Sequence, residues 1–158
     1  MFREMRRFKQ QLSDEACREV LTAAPRGVMA VTGDDGYPYC FFMNYVYDPS
    51  ADKLYFHCAR EGYKIDCLRR SAKVCFTVRD EGFHQPGDWA LTFRSVVVFG
   101  TVRLVEDEAE TIPLVRMLGR KYYPDFDDVE AEIAHSGRRV MVLELTPDHV
   151  TGKTVHEK

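Results

Sequence analysis

The run His57-Cys58-Ala59-Arg60-Glu61-Gly62-Tyr63-Lys64 gathers three potentially cationic side chains where a strand end passes through a glycine into a helix start. The first turn of a helix leaves backbone N–H groups unpaired and carries a partial positive charge, so a phosphate is well held there. Gly62 lets the backbone approach a ligand closely. Charge-assisted hydrogen bonds contribute roughly 1.5–3 kcal/mol each. Three or four of them would offset much of the roughly 4–15 kcal/mol entropic cost of association. The same residues also describe a solvated turn whose Arg60 and Lys64 face water, and spacing alone leaves both readings open.

Three other places offer polar or stacking groups. Asn44 interrupts the aromatic stretch from Tyr37 to Tyr47, on the face shared with Cys40, Phe42 and Val46. Asn is depleted in strands and its amide needs partners; the edge of a planar ring would supply them, and so would a structural bulge. Ser95, after Arg94 and before Val96-Val97-Val98, could bond a phosphate or its own backbone, while the valines read as core. Trp89, the single tryptophan, suits either a stacking platform or core packing. Cys58 and Cys75 have no base placed beside them by sequence and read as buried small hydrophobes.

The elements that must position these groups follow from periodicity and turn signals. Ser13 caps a first helix with Asp14 and Glu15 in its first turn, and Cys17, Val20, Leu21 and Ala24 share one face before Pro25. Strands are expected at 27–32, 37–47, 53–58, 74–78, 89–105 and 140–145, with turns at Asp34-Asp35-Gly36 and Asp48-Pro49-Ser50. The long run 89–105 should bend near Ser95 or Gly100. A short helix fits 62–70. Another should begin near Asp107 and stop at Pro124, with Pro113 forcing a kink or a restart at Thr111, and a shorter one fits 128–135. About six strands joined by tight turns, with a few short helices, describe an antiparallel, mainly β, α+β fold.

Composition limits the function classes. The 158 residues suit one domain, 1–158, and 45% hydrophobic with 30% charged residues describes a globular chain rather than a disordered one. A net charge of −3 argues against bulk binding to nucleic acid or an anionic membrane. Five cysteines without C-x-x-C spacing and five scattered histidines predict free thiols and no metal. There is no G-x-G-x-x-G, no G-x-x-x-x-G-K-[ST] and no G-x-S-x-G, so the usual dinucleotide, P-loop and hydrolase signatures are missing. No apolar run reaches the 18 or so residues of a transmembrane helix, and the Arg-rich start from Met1 to Lys9 lacks a signal-peptide core. A cytoplasmic protein is expected.

In order and spacing, several pieces resemble the pyridoxamine-phosphate-oxidase-like family of FMN-binding split barrels, particularly its 5-nitroimidazole-resistance branch. They are Met5-Arg6-Arg7, Gly36-Tyr37-Pro38-Tyr39, Asn44-Tyr45-Val46-Tyr47-Asp48, Leu54-Tyr55-Phe56-His57-Cys58-Ala59 with Gly62 and Lys64, Lys73-Val74-Cys75-Phe76, Ser95 to Gly100, and Val150-Thr151-Gly152-Lys153. The resemblance covers nearly the whole chain. It implies a six-stranded antiparallel split β-barrel, a homodimer, and FMN in two symmetric sites at the subunit interface. It further implies that the segment with His57, Arg60, Gly62 and Lys64 holds the phosphate side. The strand with Asn44, Tyr45 and Val46 and the strand with Ser95 and Val96 would line the pocket.

The activity implied is transfer of electrons from NAD(P)H, a transient visitor, through FMN to a small aromatic acceptor such as a nitro compound, with His57 as candidate proton donor. Relatives usually carry proline where this chain has Phe42, so the ring side of the pocket is expected to be reshaped. The alternative is a non-catalytic dimer that stores or senses FMN or binds haem, and a third reading is an interaction protein whose barrel has lost its ligand. The fold by itself hosts all three.

Overall fold

Apolar and β-branched residues alternate along most of the expected strands, and one face of each is buried. The computed structural model describes residues 2–123 and 125–158. Its strands are β1 (Arg26–Thr32), β2 (Pro38–Asn44), β3 (Val46–Asp48), β4 (Lys53–Ala59), β5 (Lys73–Arg79), β6 (Phe83–His84), β7 (Leu91–Val105) and β8 (Val140–His156), with helices α1 (Asp14–Ala23), α2 (Tyr63–Arg70), α3 (Glu108–Tyr122) and α4 (Phe126–Ser136). The fold is α+β and mainly β, a curled antiparallel sheet ordered β2-β1-β5-β7-β8-β4-β3, with β6 paired to β7 off that path.

Six of these strands are long and correspond to the six read from the sequence; β3 and β6 are the additions. The stretch 37–47 is not one strand but two, because Tyr45 breaks it. The two pieces, β2 and β3, form opposite ends of the sheet order. A sheet whose two edges are joined by a single residue has to curl until those edges meet. Between β2 and β4 no ladder forms, and that gap is the split in the barrel.

The interior is filled by the inward residues of the long strands. Tyr45, Phe56 and Phe76 are fully buried and pack on one another with ring centroids 4.9–6.0 Å apart, separations at which edge and offset aromatic contacts are favourable. Ser13 caps α1 by accepting from the Ala16 N–H at 3.2 Å, and Cys17, Val20 and Leu21 turn into this core. α2 adds Ile65, Cys67 and Leu68. On the outer side of β3, β4 and β8, a second cluster of Tyr55, Val105 and Val142 is covered by Val46 and by Leu114, Val115 and Met117 of α3.

α3 runs unbroken through Pro113, neither kinking into two helices nor restarting at Thr111. Pro113 is on the exposed side, where water can satisfy the one carbonyl whose partner a proline removes. The helix stop expected at Pro124 lies outside the described residues. β8 continues eleven residues beyond the expected end at Leu145, through a register shift that sets Gly100 against Pro147 and Phe99 against His149. The bend foreseen in β7 near Gly100 is this bulge. No helix among the described residues is long and apolar enough to cross a membrane.

Where the chain breaks at Tyr45, its backbone N–H and C=O leave the sheet ladder inside the protein, where unpaired groups are costly. Tyr122 of α3 takes them up. Its hydroxyl accepts from the Tyr45 N–H at 2.8 Å and lies 2.7 Å from the Tyr45 carbonyl, with the Pro25 carbonyl as a second acceptor. One phenol proton serves one carbonyl at a time. Beside it, Lys121 donates to the Ala24 carbonyl at 2.8 Å and lies 4.0 Å from the centre of the Tyr45 ring; burial pushes its ammonium down to about 8. The Tyr45 hydroxyl itself donates to the Leu21 carbonyl at 2.6 Å. Replacing Tyr122 by Phe should therefore destabilise the protein by about 1–3 kcal/mol, the cost of an abandoned buried donor, read as a lower urea midpoint at unchanged slope. An unchanged midpoint would mean that the break does not depend on this hydroxyl.

Candidate functional site at the split

β4 leaves the sheet at Ala59, and the chain turns through Arg60-Glu61-Gly62 into α2. Gly62 sits at φ 122° and ψ 167°, a conformation that side-chain-bearing residues rarely adopt. Its carbonyl accepts from the Ile65 and Asp66 N–H groups at 2.9 and 3.1 Å. No side chain caps the helix start, which leaves the first N–H groups directed at whatever occupies the turn.

Lys64 reaches across the split to β2. Its ammonium lies 3.8 Å from the Met43 sulfur and 4.8 Å from the centre of the Phe41 ring. Among the described residues no carboxylate pairs with it. Arg60 donates through one terminal nitrogen to the Glu106 carbonyl at 3.0 Å, while its Nε is buried without a partner. A buried cationic donor left unpaired costs free energy unless something beyond the protein accepts from it. The turn thus combines an uncapped helix start, a lysine without a counter-ion and an orphaned guanidinium nitrogen. Such a donor set fits the phosphate of a flavin nucleotide.

Around this turn the other expected residues divide. His57 lies on the outer side of β4, facing a cavity beneath α3 and α4. Its ring is exposed to the cavity but crowded by the surrounding protein, and this desolvation, followed by the charge of Lys64, holds its pKa below 6.5. A neutral imidazole has one N–H to give and one nitrogen to accept. Asn44 ends β2 beside the break, half-buried, and its side chain makes no hydrogen bond among the described residues. Its amide is open to a ligand. Val46 is occupied with packing in the outer cluster.

Tyr45 and Val96 were expected to line the pocket, but both are fully buried. Each points into the barrel, so neither side chain can touch a ligand there. Ser95 faces outward between Arg79 and Lys153. Through β5 and β1 it lies in line with Asn44 at the end of β2, three strand spacings of about 4.8 Å away. Cys58 and Cys75 are half-buried rather than fully buried; burial pushes both thiols up, partly opposed at Cys58 by Lys64. Trp89 is not core packing but is 76% exposed. Sequence reasoning missed Phe41 and Met43 under Lys64, and Glu106 beside Arg60. Neither relation leaves a trace in local spacing.

The family model for pyridoxamine 5'-phosphate oxidase matches residues 13–154. The chain belongs to this family. No curated protein matches the sequence. A candidate 5-nitroimidazole antibiotic resistance protein from Bacteroides thetaiotaomicron superposes with a TM-score of 0.76 at 25% identity, covering 92% of this chain and 87% of that one. A conserved hypothetical protein from Mycobacterium tuberculosis gives 0.79 at 16% identity, covering 98% and 91%. A FAD-binding protein from Mesorhizobium loti gives 0.65 at 22%, covering 92% and 97%. The last two establish likeness of fold.

Within this pyridoxamine 5'-phosphate oxidase fold, the electrostatic link between Lys64 and His57 is open to measurement. Because Lys64 is the second cause of the low His57 pKa after desolvation, Lys64→Met should raise that pKa part of the way to 6.5 in a histidine ring-proton titration by NMR. A His57 pKa that does not move would place Lys64 too far away to act on it.

Proposed function

We propose that the chain is an FMN-dependent oxidoreductase that passes electrons from NAD(P)H to a small aromatic acceptor such as a nitro compound. The observation that carries this reading is the cation set at the β4–α2 turn: Lys64, without a carboxylate among the described residues, beside an orphaned buried Arg60 Nε at an uncapped helix start. Family membership and the similarity to a candidate nitroimidazole-resistance protein and a FAD-binding protein support a flavin as the group held there.

In this reading the Gly62–Lys64 backbone, Lys64 and Arg60 hold the phosphate, and the free Asn44 amide meets the ring edge. When bound, FMN supplies the redox chemistry, accepting a hydride from the nicotinamide and giving two electrons to the acceptor. For a nitro acceptor the two electrons and two protons yield a nitroso group and water. His57, neutral and next to Lys64, carries an N–H that can follow the electrons.

The outward side of β2 supports a second copy at the site. Phe42 is 79% exposed, and Cys40 beside it is also exposed. Phe42 stands against Val28 and, across β5 and β7, in line with Thr77 and Val97, a largely apolar face that a homodimer would cover. In such a dimer, Ser95 of one protomer and Lys64 of the other would serve a common flavin. A second reading, a dimer that binds flavin without turnover, draws on the relative described by binding alone.

The test is anaerobic. Protein loaded with FMN should be bleached by NADH or NADPH and recoloured by a nitroaromatic, and Lys64→Glu should lose FMN by reversing a charge beside a dianion. Reduction by dithionite but by neither nucleotide would leave the binding protein and end the oxidoreductase reading.

A further inference from the structure

A cavity of about 410 Å³ lies between the outer side of β4 and β8 and the two helices α3 and α4. Its floor is His57 and Val140; Leu118 and Val129 wall it, and Ile133 closes one side. The helices can come this close because residue 119 is a glycine: a Cβ there would be 2.6 Å from a methyl of Val129. At the mouth stand the exposed carboxylates Asp128 and Glu132. Nothing in the phosphate site uses this space, and no motif in the sequence pointed to it.

Size, lining and charge together restrict what could enter. The volume is that of a site for one small organic molecule, which such sites hold by apolar walls and a few polar groups that fix orientation. Here the walls are mainly aliphatic, joined by Tyr123 and Ser136, and the floor offers one imidazole. Two carboxylates at the entrance disfavour anions. The geometry points to this cavity as the binding site of a small, planar, neutral or cationic apolar molecule that exchanges a hydrogen bond with His57. It rests on the oxidoreductase reading for one clause only: such a molecule would be that enzyme's electron acceptor, reaching the flavin side through His57, which adjoins both spaces.

The experiment follows the methyl groups of Leu118, Val129, Ile133 and Val140 by NMR in FMN-loaded protein, with indole as the neutral probe and benzoate as the anionic one. Indole should shift these methyls and benzoate should not. Ile133→Trp, which fills the cavity, should weaken indole binding by about tenfold or more, with FMN affinity kept within about twofold because the flavin cradle is elsewhere. Glu132→Lys, at an exposed position that does not bear on folding, should admit benzoate. Should indole shift Val28 and Val97 on the outer sheet face instead, or bind Ile133→Trp as it binds the parent protein, or should benzoate stay out of Glu132→Lys, the assignment is overturned. Indole binding in the cavity of a protein that takes up no FMN supports the cavity and sinks the oxidoreductase reading, so the two fail separately.

Discussion

Everything distinctive about this fold depends on how the backbone is satisfied at Tyr45. A strand of aromatic and β-branched residues would by itself continue from Pro38 to Asp48, but it is cut at one fully buried residue. The cut is affordable because α3, following β7, returns Tyr122 to pair with both backbone groups of Tyr45. The ring of Tyr45 then fills the barrel with Phe56 and Phe76, and its hydroxyl ties α1 to the same point. One residue thus joins two sheet edges, the core and two helices.

The candidate site is a consequence of that break. Without a ladder between β2 and β4, the end of β4 is free to turn outward, and α2 can lie against the opening with Ile65 and Leu68 in the core. Lys64 is then carried over Phe41 and Met43, apolar neighbours that give its charge no partner. An ammonium in such a place is poised for an anion rather than already neutralised. His57, one strand face away, senses the same charge from the side of the α3–α4 cavity.

Much of this was legible in the sequence where the cause is local. The Ser13 cap, the Gly62 helix start and the alternation of β1 and β5 depend on neighbours within a few residues, and these agree with the structure. What escaped depends on distant partners. Nothing near Tyr45 announces Tyr122, and Thr146-Pro147-Asp148 has turn composition although a bulge against Gly100 carries β8 through it. At the site, the turn from His57 to Lys64 was visible because its chemistry is contiguous. Tyr45 and Val96, named for the pocket by the family resemblance, keep their side chains inside the barrel, and strand alternation identifies two faces without saying which is the inside. Ser95 was assigned to the same site as Lys64, a relation that local spacing cannot carry because it runs through the pairing of β7 with β5 and β5 with β1.

The proposed homodimer makes the flavin site a property of two chains, and co-refolding tests that most directly. Chains carrying Lys64→Glu and chains carrying Ser95→Glu would each be refolded alone and then in equal mixture, with bound FMN read by absorbance. The account predicts little flavin on either variant alone. In the mixture, about one site in four should recover, because random pairing makes half the dimers mixed and each mixed dimer has one intact site. Full FMN binding by Ser95→Glu alone, or no recovery in a mixture whose chains demonstrably pair, would contradict it.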